Sequence, residues 1–396
     1  MNSTPNSNRI HIAIYGKRNA GKSSLLNQIA EQEVSLVSET KGTTTDPVNK
    51  AMELIPLGPV LFIDTAGLDD EGELGKLRVE KSLKTLQKTD FAIYMMDIND
   101  LDEQVYKKTK ENFKRFNIPF MTVINKIDTV NIEKLAKVKE IYKDCLFIST
   151  IDGENINELK QQLIKRIEIN KDEISLVGDL VPYNGKVILV VPIDSEAPKG
   201  RIILPQVQVI RDCLDNGIKS YVVRDTELES ALQDIKDVDL VITDSQAFKR
   251  VSEIVPKNIK LTSFSIIFSR TKGDLKEFVN GVKALENLKE GAKILIGESC
   301  THNHTHEDIG RVKIPSGIKK HTGKDFQYDF KVGHDFPINI ENYDLVIHCG
   351  ACMVNRKTVD TRIQICRAKN VPITNYGILL AYLSGILDRA IEVFKL

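Results

Sequence analysis

Arg9-Ile10-His11-Ile12-Ala13-Ile14-Tyr15 runs straight into Gly16-Lys17-Arg18-Asn19-Ala20-Gly21-Lys22-Ser23, and a helical pattern from Ser24 to Ala30 follows. The first stretch has the period-two character of a strand. The second is a G-x-x-x-x-G-K-S loop. Strand, loop and helix in this order are the context in which that loop binds phosphate. Its glycines let backbone N–H groups wrap phosphate oxygens, and the helix N-terminus adds a favourable dipole. Lys22 is expected to reach the β- and γ-phosphates and Ser23 to ligate Mg²⁺. Asn19, Ala20, Gly21 and Ser24 complete the expected cradle.

Two further stretches follow at sensible distances. Val60-Leu61-Phe62-Ile63-Asp64-Thr65-Ala66-Gly67 reads as a buried strand ending in an acid suited to an outer-shell Mg²⁺ contact, and Gly67 is expected among the nucleotide-binding residues. Met121-Thr122-Val123-Ile124-Asn125-Lys126-Ile127-Asp128 is another strand, ending in Asn-Lys-x-Asp. A carboxylate at Asp128 can accept from the N1 and N2 donors of guanine, and adenine offers no such pair. The ligand expected from the residues is therefore GTP. The first third of the chain reads as a guanine-nucleotide domain.

The rest of the chain also alternates strands and helices, which predicts α/β architecture: a P-loop domain followed by two smaller parallel-sheet domains. The polar stretch Asn170-Lys171-Asp172-Glu173 marks a linker, so we expect domains at 1–170, 171–265 and 266–396. Strands are expected at 186–191, 220–223, 238–242 and 260–263, then at 293–297, 344–348 and 371–373. A final helix is expected over Ile378 to Phe394, and the polar segment holding His321 and His334 reads as a loop. A middle sheet of about four strands has exposed edges, which predicts a homodimer formed through it.

In 396 residues, Lys+Arg and Asp+Glu both number 55. That neutral balance points to neither a nucleic-acid nor a membrane surface. Met1 to Asn8 has no apolar core, so no signal peptide or anchor is expected. Six cysteines in a chain this long do not make a disulfide framework, and a cytoplasmic location is expected.

Cys300-Thr301-His302 and His348-Cys349-Gly350-Ala351-Cys352 each follow a short apolar strand, Lys293 to Gly297 and Asp344 to Ile347. In open parallel sheets ligands gather beyond the carboxyl ends of strands, so these thiols and imidazoles can converge there. Structural zinc with three cysteines and a histidine fits the counts. A Cys349/Cys352 dithiol leaves Cys300 unexplained. An iron–sulfur cluster on three cysteines leaves one iron with an open position. Cys213 and Cys366 fall on amphipathic helices and read as core.

Two resemblances narrow these readings. The first third resembles the translation-factor-like GTPases, in the branch that includes the tRNA-modification and ribosome-assembly GTPases. Lys41-Gly42-Thr43-Thr44-Thr45-Asp46 is similar to that branch's switch I, with Thr44 at its Mg²⁺-binding threonine. Phe147-Ile148-Ser149-Thr150 resembles its last guanine-contacting loop, with Thr150 where the family has alanine. The resemblance implies catalytic roles for Lys22, Thr44 and Asp64. Leu68 stands where Ras-like enzymes carry a water-orienting glutamine, which implies slow hydrolysis. Asn19 resembles the asparagine that supports K⁺ in this branch, which implies K⁺-stimulated turnover.

A GTPase domain followed by Cys-x-His and, far downstream, His-Cys-x-x-Cys resembles the GTPase maturase of FeFe-hydrogenases across the whole chain. That resemblance implies a 4Fe–4S cluster on Cys300, Cys349 and Cys352, with His302 and His348 as the motif histidines. It also implies radical-SAM maturases and apo FeFe-hydrogenase as partners, and a diiron precursor as cargo. The alternative is an RNA-modification or ribosome-assembly GTPase with structural zinc. Neutral charge and the lack of a basic, aromatic-interleaved stretch count against it.

Overall fold

The computed structural model describes residues 4–31, 39–40, 48–67, 81–82, 84–169, 174–193, 200, 202–298, 309–333, 335–337, 339–351 and 353–395. The chain divides into two compact units, residues 1–172 and 173–396. In the first unit, strands β1 (Ile10–Gly16), β2 (Glu39–Thr40), β3 (Val48–Leu54), β4 (Gly58–Asp64), β5 (Phe91–Asp97), β6 (Phe120–Asn125) and β7 (Leu146–Phe147) form one sheet. Its order is β2-β3-β4-β1-β5-β6-β7. The β4-β1-β5-β6-β7 part is parallel, and β3 runs antiparallel to both β2 and β4.

Helices α1 (Lys22–Glu31), α2 (Glu103–Arg115), α3 (Ile132–Ile141) and α4 (Ile156–Ile169) cover both faces of this sheet. Ile12 and Ile14 pack with Leu25, Leu26, Leu159 and Leu163, while Ala13 and Tyr15 pack with Phe113 and Val138 on the opposite face. Two-sided cover is why β1 is apolar nearly throughout rather than strictly alternating. Asp102 caps α2, its carboxylate accepting from Gln104 and Val105 N–H, and Lys114 and Arg115 complement the dipole at its other end.

The second unit holds two four-stranded parallel sheets. The first contains β8 (Lys186–Val190), β9 (Lys219–Val223), β10 (Leu240–Thr243) and β11 (Lys260–Ser263) in the order β11-β10-β8-β9. Helices α5 (Leu204–Asp215), α6 (Leu228–Asp234), α7 (Phe248–Ile254) and α8 (Phe264–Lys272) belong to it. The second contains β12 (Lys293–Glu298), β13 (Gln327–Val332), β14 (Leu345–His348) and β15 (Ile373–Asn375) in the order β13-β12-β14-β15. Its helices are α9 (Leu275–Lys283), α10 (Ile314–Thr322), α11 (Arg356–Ala368) and α12 (Tyr376–Leu383), while α13 (Leu387–Ile391) returns to pack against β11 of the first sheet, where Arg389 donates to the carbonyls of Ser252 and Val255. One apolar cluster runs through both sheets, from Ile188 and Val241 to Ile294, Val346 and Ile373. The fold is the α/β architecture read from the sequence.

Local differences have clear causes. The expected final helix breaks after Leu383, where Gly385 takes φ +71° and Ile386 N–H turns back to the Ala381 carbonyl. Glycine at that position makes the left-handed turn at no steric cost. The polar segment read as a loop contributes α10 and the edge strand β13, whose half-exposed residues blur the apolar pattern. His321 sits at the end of α10 with its Nε2 2.8 Å from a Glu286 carboxylate oxygen. The linker at residues 170–173 lies outside the described residues.

The close approach of α9 to β15 depends on Gly281, where an added Cβ would lie 1.9 Å from the backbone oxygen of Ile373. Backbone cannot yield there as a side-chain tip can. Gly281→Ala is expected to destabilise the second unit by about 2 kcal/mol, read as an earlier urea-unfolding transition by circular dichroism, with nucleotide binding by the first unit unchanged.

Candidate functional site

In the first unit the carboxyl ends of β1, β4, β5 and β6 converge on the loop between β1 and α1. Gly16 has φ +151°, and an added Cβ would stand 2.3 Å from the Met95 carbonyl oxygen. Gly21 has φ +99°, and its added Cβ would meet Asn125 Nδ2 at 2.2 Å. Both glycines are therefore required by close backbone approach as well as by φ. Asn19 also adopts a left-handed conformation, at φ 59°. Lys22 is buried, with its ammonium donating to the carbonyls of Gly16 at 3.1 Å and Lys17 at 2.7 Å. This folds its positive end back over the loop, where phosphate binds in such motifs.

Ser23 Oγ donates to Asp64 Oδ2 at 2.5 Å, bringing together the two groups expected at Mg²⁺. Burial pushes the Asp64 carboxyl above its ordinary value, opposed by the Ser23 hydroxyl and the charges of Lys22 and Lys50. Thr65 anchors the following turn, its hydroxyl donating to the Ile14 carbonyl at 2.7 Å. Among the nucleotide-site candidates, Thr44 lies outside the described residues, as does Leu68.

Asn125 joins three segments. Its Nδ2 donates to the Ala20 carbonyl at 2.9 Å and to Thr150 Oγ1 at 3.1 Å, and its Oδ1 accepts from the Thr150 backbone N–H at 3.1 Å. The side chain is fully buried. The hydroxyl that distinguishes Thr150 from alanine is thus taken up by Asn125. Ser149, also buried, accepts from the Asp152 backbone N–H through its Oγ at 3.1 Å. Lys126, at φ 67°, pairs with Asp97 at 2.6 Å, and Asp128 is exposed beside it.

Asp97, Asp100 and Asp102 escaped the sequence reading, yet they line a pocket of about 330 Å³ with Lys17, Asn19 and Ala20. Burial pushes the Asp97 carboxyl up, but the Lys126 ammonium and the Asn99 N–H outweigh it and hold it below the usual carboxylate range. Its signal was available: Asp97 ends the apolar run Phe91-Ala92-Ile93-Tyr94-Met95-Met96.

The second unit places His348 and Cys349 at the carboxyl end of β14, beside β12. His348 pairs in register with Gly297 and Asn375, and Cys349 N–H donates to the Gly297 carbonyl at 2.9 Å. Cys349 is buried. His348 Nδ1 lies 2.8 Å from the Cys349 carbonyl oxygen and its Nε2 lies 2.6 Å from Arg362 Nη1. Since the guanidinium only donates, Nε2 accepts and Nδ1 carries the proton. Burial, reinforced by the Arg362 charge, pulls the His348 imidazole down to about 3, so it is neutral at physiological pH.

Lys272, at the end of α8, donates to the carbonyls of Ala351 at 2.9 Å and Val354 at 3.2 Å, holding the turn after Cys349. Arg362 and Lys272 were missed by the sequence reading. Arg362 falls with Val359, Ile363 and Cys366 on the buried face of α11, a helical spacing that marks a charged residue placed inward. Cys300, His302 and Cys352 lie outside the described residues, and among the described residues no three His, Cys, Asp or Glu side chains come together as a metal-ligand set. Cys213 and Cys366 are fully buried core residues.

The first unit thus defines a guanine-nucleotide-binding P-loop GTPase domain. Residues 11–126 match the model of the 50S ribosome-binding GTPase. Residues 176–273 match the hydrogen maturase F dimerization domain and residues 276–393 the hydrogen maturase F tetramerization domain. The chain belongs to the hydrogen maturase F family.

Curated relatives that match part of the chain are GTPases. GTPase Der of Wolinella succinogenes is 34% identical over 174 residues, covering 40% of this chain and 36% of that protein. The tRNA modification GTPase MnmE of Mesoplasma florum is 30% identical over 177 residues, covering 44% and 38%. The chain therefore spans a little over a third of the length of these relatives. Among solved structures, Aquifex aeolicus Era bound to GDP and AlF4⁻ aligns at 22% identity, over 54% of this chain and 93% of that one, with a TM-score of 0.34. A score that low adds nothing to the assignment. No helix among the described residues is long and apolar enough to cross a membrane.

Because the Asn125 side chain ties the P-loop to the Thr150 loop, Asn125→Ala is expected to weaken guanine-nucleotide affinity by about tenfold or more, at the net worth of one to two buried hydrogen bonds. Titration with a fluorescent GDP analogue measures this.

Proposed function

We propose that this protein is a GTP-hydrolysing carrier that holds a 4Fe–4S cluster and a diiron precursor and delivers that precursor to apo FeFe-hydrogenase. The observation that carries the reading is Cys349, buried at the carboxyl end of β14 beside β12, in a chain matching both hydrogen maturase F domains. Cys300 follows β12 by two residues and Cys352 follows Cys349 by three, so three cysteines serve as the cluster's ligands. The donor set suits iron: thiolates are soft ligands, and the site provides a buried cation nearby. Held by three cysteines, such a cluster would keep one iron without a protein thiolate, and that position would be open to the cargo. Domain limits near residues 170 and 265 follow from this reading, as does a homodimer formed through the middle sheet.

At the nucleotide site, Lys22 and the Asn19, Ala20, Gly21 and Ser24 backbone bind the phosphates, and Ser23 and Thr44 hold Mg²⁺ with Asp64 behind them. Asn125, Lys126, Asp128, Ser149 and Thr150 select guanine, and Gly67 closes the phosphate end. Nucleotide state then biases the switch segments and sets affinity for the radical-SAM maturases and the hydrogenase. Free thiols of this kind persist in the reducing cytoplasm, where the protein acts.

Asn19 supports a K⁺ ion beside the phosphates, which supplies the charge an arginine finger gives elsewhere. Hydrolysis is expected to be slow, and roughly tenfold or more faster in K⁺ than in Na⁺ buffer at equal ionic strength. Equal turnover in the two, by phosphate release, contradicts the cation role.

Anaerobic iron, sulfide and zinc analysis, with EPR of wild type and Cys300→Ala, tests the carrier reading. Wild type is expected to be brown with about four irons per chain, and Cys300→Ala to lose most of them. Colourless protein with one zinc per chain supports an RNA-modification or ribosome-assembly GTPase instead.

A further inference from the structure

Arg362 is only 2% exposed, yet all its partners among the described residues are neutral. Nη1 donates to the neutral His348 imidazole, Nη2 donates to the Gly333 carbonyl at 2.5 Å, and Nε has no partner among the described residues. The Phe336 ring lies 5.1 Å from the guanidinium, a further contact that neutralises nothing. An arginine cannot shed its proton to escape burial. The groups near enough to offer it negative charge are the thiols of Cys349 and Cys366. Cys366 is fully enclosed in the core, whereas Cys349 begins the turn at the strand end. Lys272 brings a second cation against the same turn through Ala351 and Val354. The loop from His348 to Val354 is therefore flanked by fixed positive charge.

Both ring nitrogens of His348 are already committed, one donating to the Cys349 carbonyl and the other accepting from Arg362. No lone pair is left for a metal. The ring instead spans the guanidinium and the Cys349 peptide.

We propose that Arg362 is the fixed countercharge of the thiolate-ligated metal centre at Cys349, positioned through His348, which is a spacer and not a metal ligand. This rests on the iron–sulfur reading above. A buried cation lacking its anion is a burden on the empty protein and becomes favourable only when thiolates and metal bring negative charge. Beside a redox-active cluster it also favours the reduced, more negative state.

The test uses the full chain with and without reconstituted cluster, comparing wild type, R362Q, R362K and H348Q. Iron and sulfide are measured first, then thermal unfolding of both forms, then midpoint potential by EPR-monitored redox titration. Empty R362Q is expected to melt at or above empty wild type, while loaded R362Q melts below loaded wild type. Its potential is expected to shift negative, with R362K restoring it towards wild type. H348Q, whose amide oxygen can still accept from Arg362, is expected to keep its iron and its EPR g-values.

Loaded R362Q with full iron and an unchanged potential overturns the countercharge alone, leaving the cluster reading intact. Failure of empty R362Q to fold makes Arg362 a structural strut and overturns it too. Loss of iron or altered g-values in H348Q overturns the spacer assignment. Wild type that takes up no iron removes the cluster reading, and this inference with it.

Discussion

A parallel strand covered by helices on both faces can offer chemistry only at its ends. That constraint organises every site in this chain. Ile12, Ala13, Ile14 and Tyr15 are committed to core on alternating faces of the first sheet, so polar function begins where β1 stops, at Gly16. Asp64, Asp97 and Asn125 likewise occupy the last positions of β4, β5 and β6. In the second unit Leu345, Val346 and Ile347 are core and His348 is the final strand residue before Cys349.

Converging strand ends still have to be tied together, because each emerges as a separate loop. The first unit uses a buried carboxamide. Asn125 offers a donor group and an acceptor, and these satisfy the Ala20 carbonyl, the Thr150 hydroxyl and the Thr150 N–H together. Gly21 is the complement of that arrangement: any side chain there would collide with the amide. The motif glycine and the motif asparagine, 104 residues apart in sequence, are thus two halves of one packing contact. The second unit ties its strand end with cations, Lys272 to the turn carbonyls and Arg362 to the imidazole.

Legibility in the sequence followed the same division. Strands β1, β4 and β6 of the first sheet and the core strands β8, β10, β12 and β14 were readable because their apolar runs are nearly unbroken. The edge strand β13 was not, since Gln327, Asp329 and Lys331 alternate with only half-buried partners. Helix α8 follows β11 without a break at Ser263, which both ends the strand and caps the helix, so no turn signal separates them. Lys22, Ser23, Asp64, Asn125 and Lys126 were legible because their motif spacings are tied to strand ends. Lys272 had no signal of its own, whereas Asp97 and Arg362 carried only the general ones of a strand end and a helical spacing, which belong to no motif.

The electrostatic contrast between the two units bears most directly on function. Around the nucleotide loop, cations meet carboxylates: Lys126 pairs with Asp97, and Lys17 lies 2.7 Å from Asp100. Phosphate and Mg²⁺ bring opposite charges of their own to that loop. At the cysteine edge Arg362 meets an imidazole, a carbonyl and a ring face, none of which carries negative charge. A charge held in low dielectric without its opposite is costly. At the second site Arg362 is instead buried among neutral partners, so among the described residues its charge is solvated by dipoles and a ring face alone.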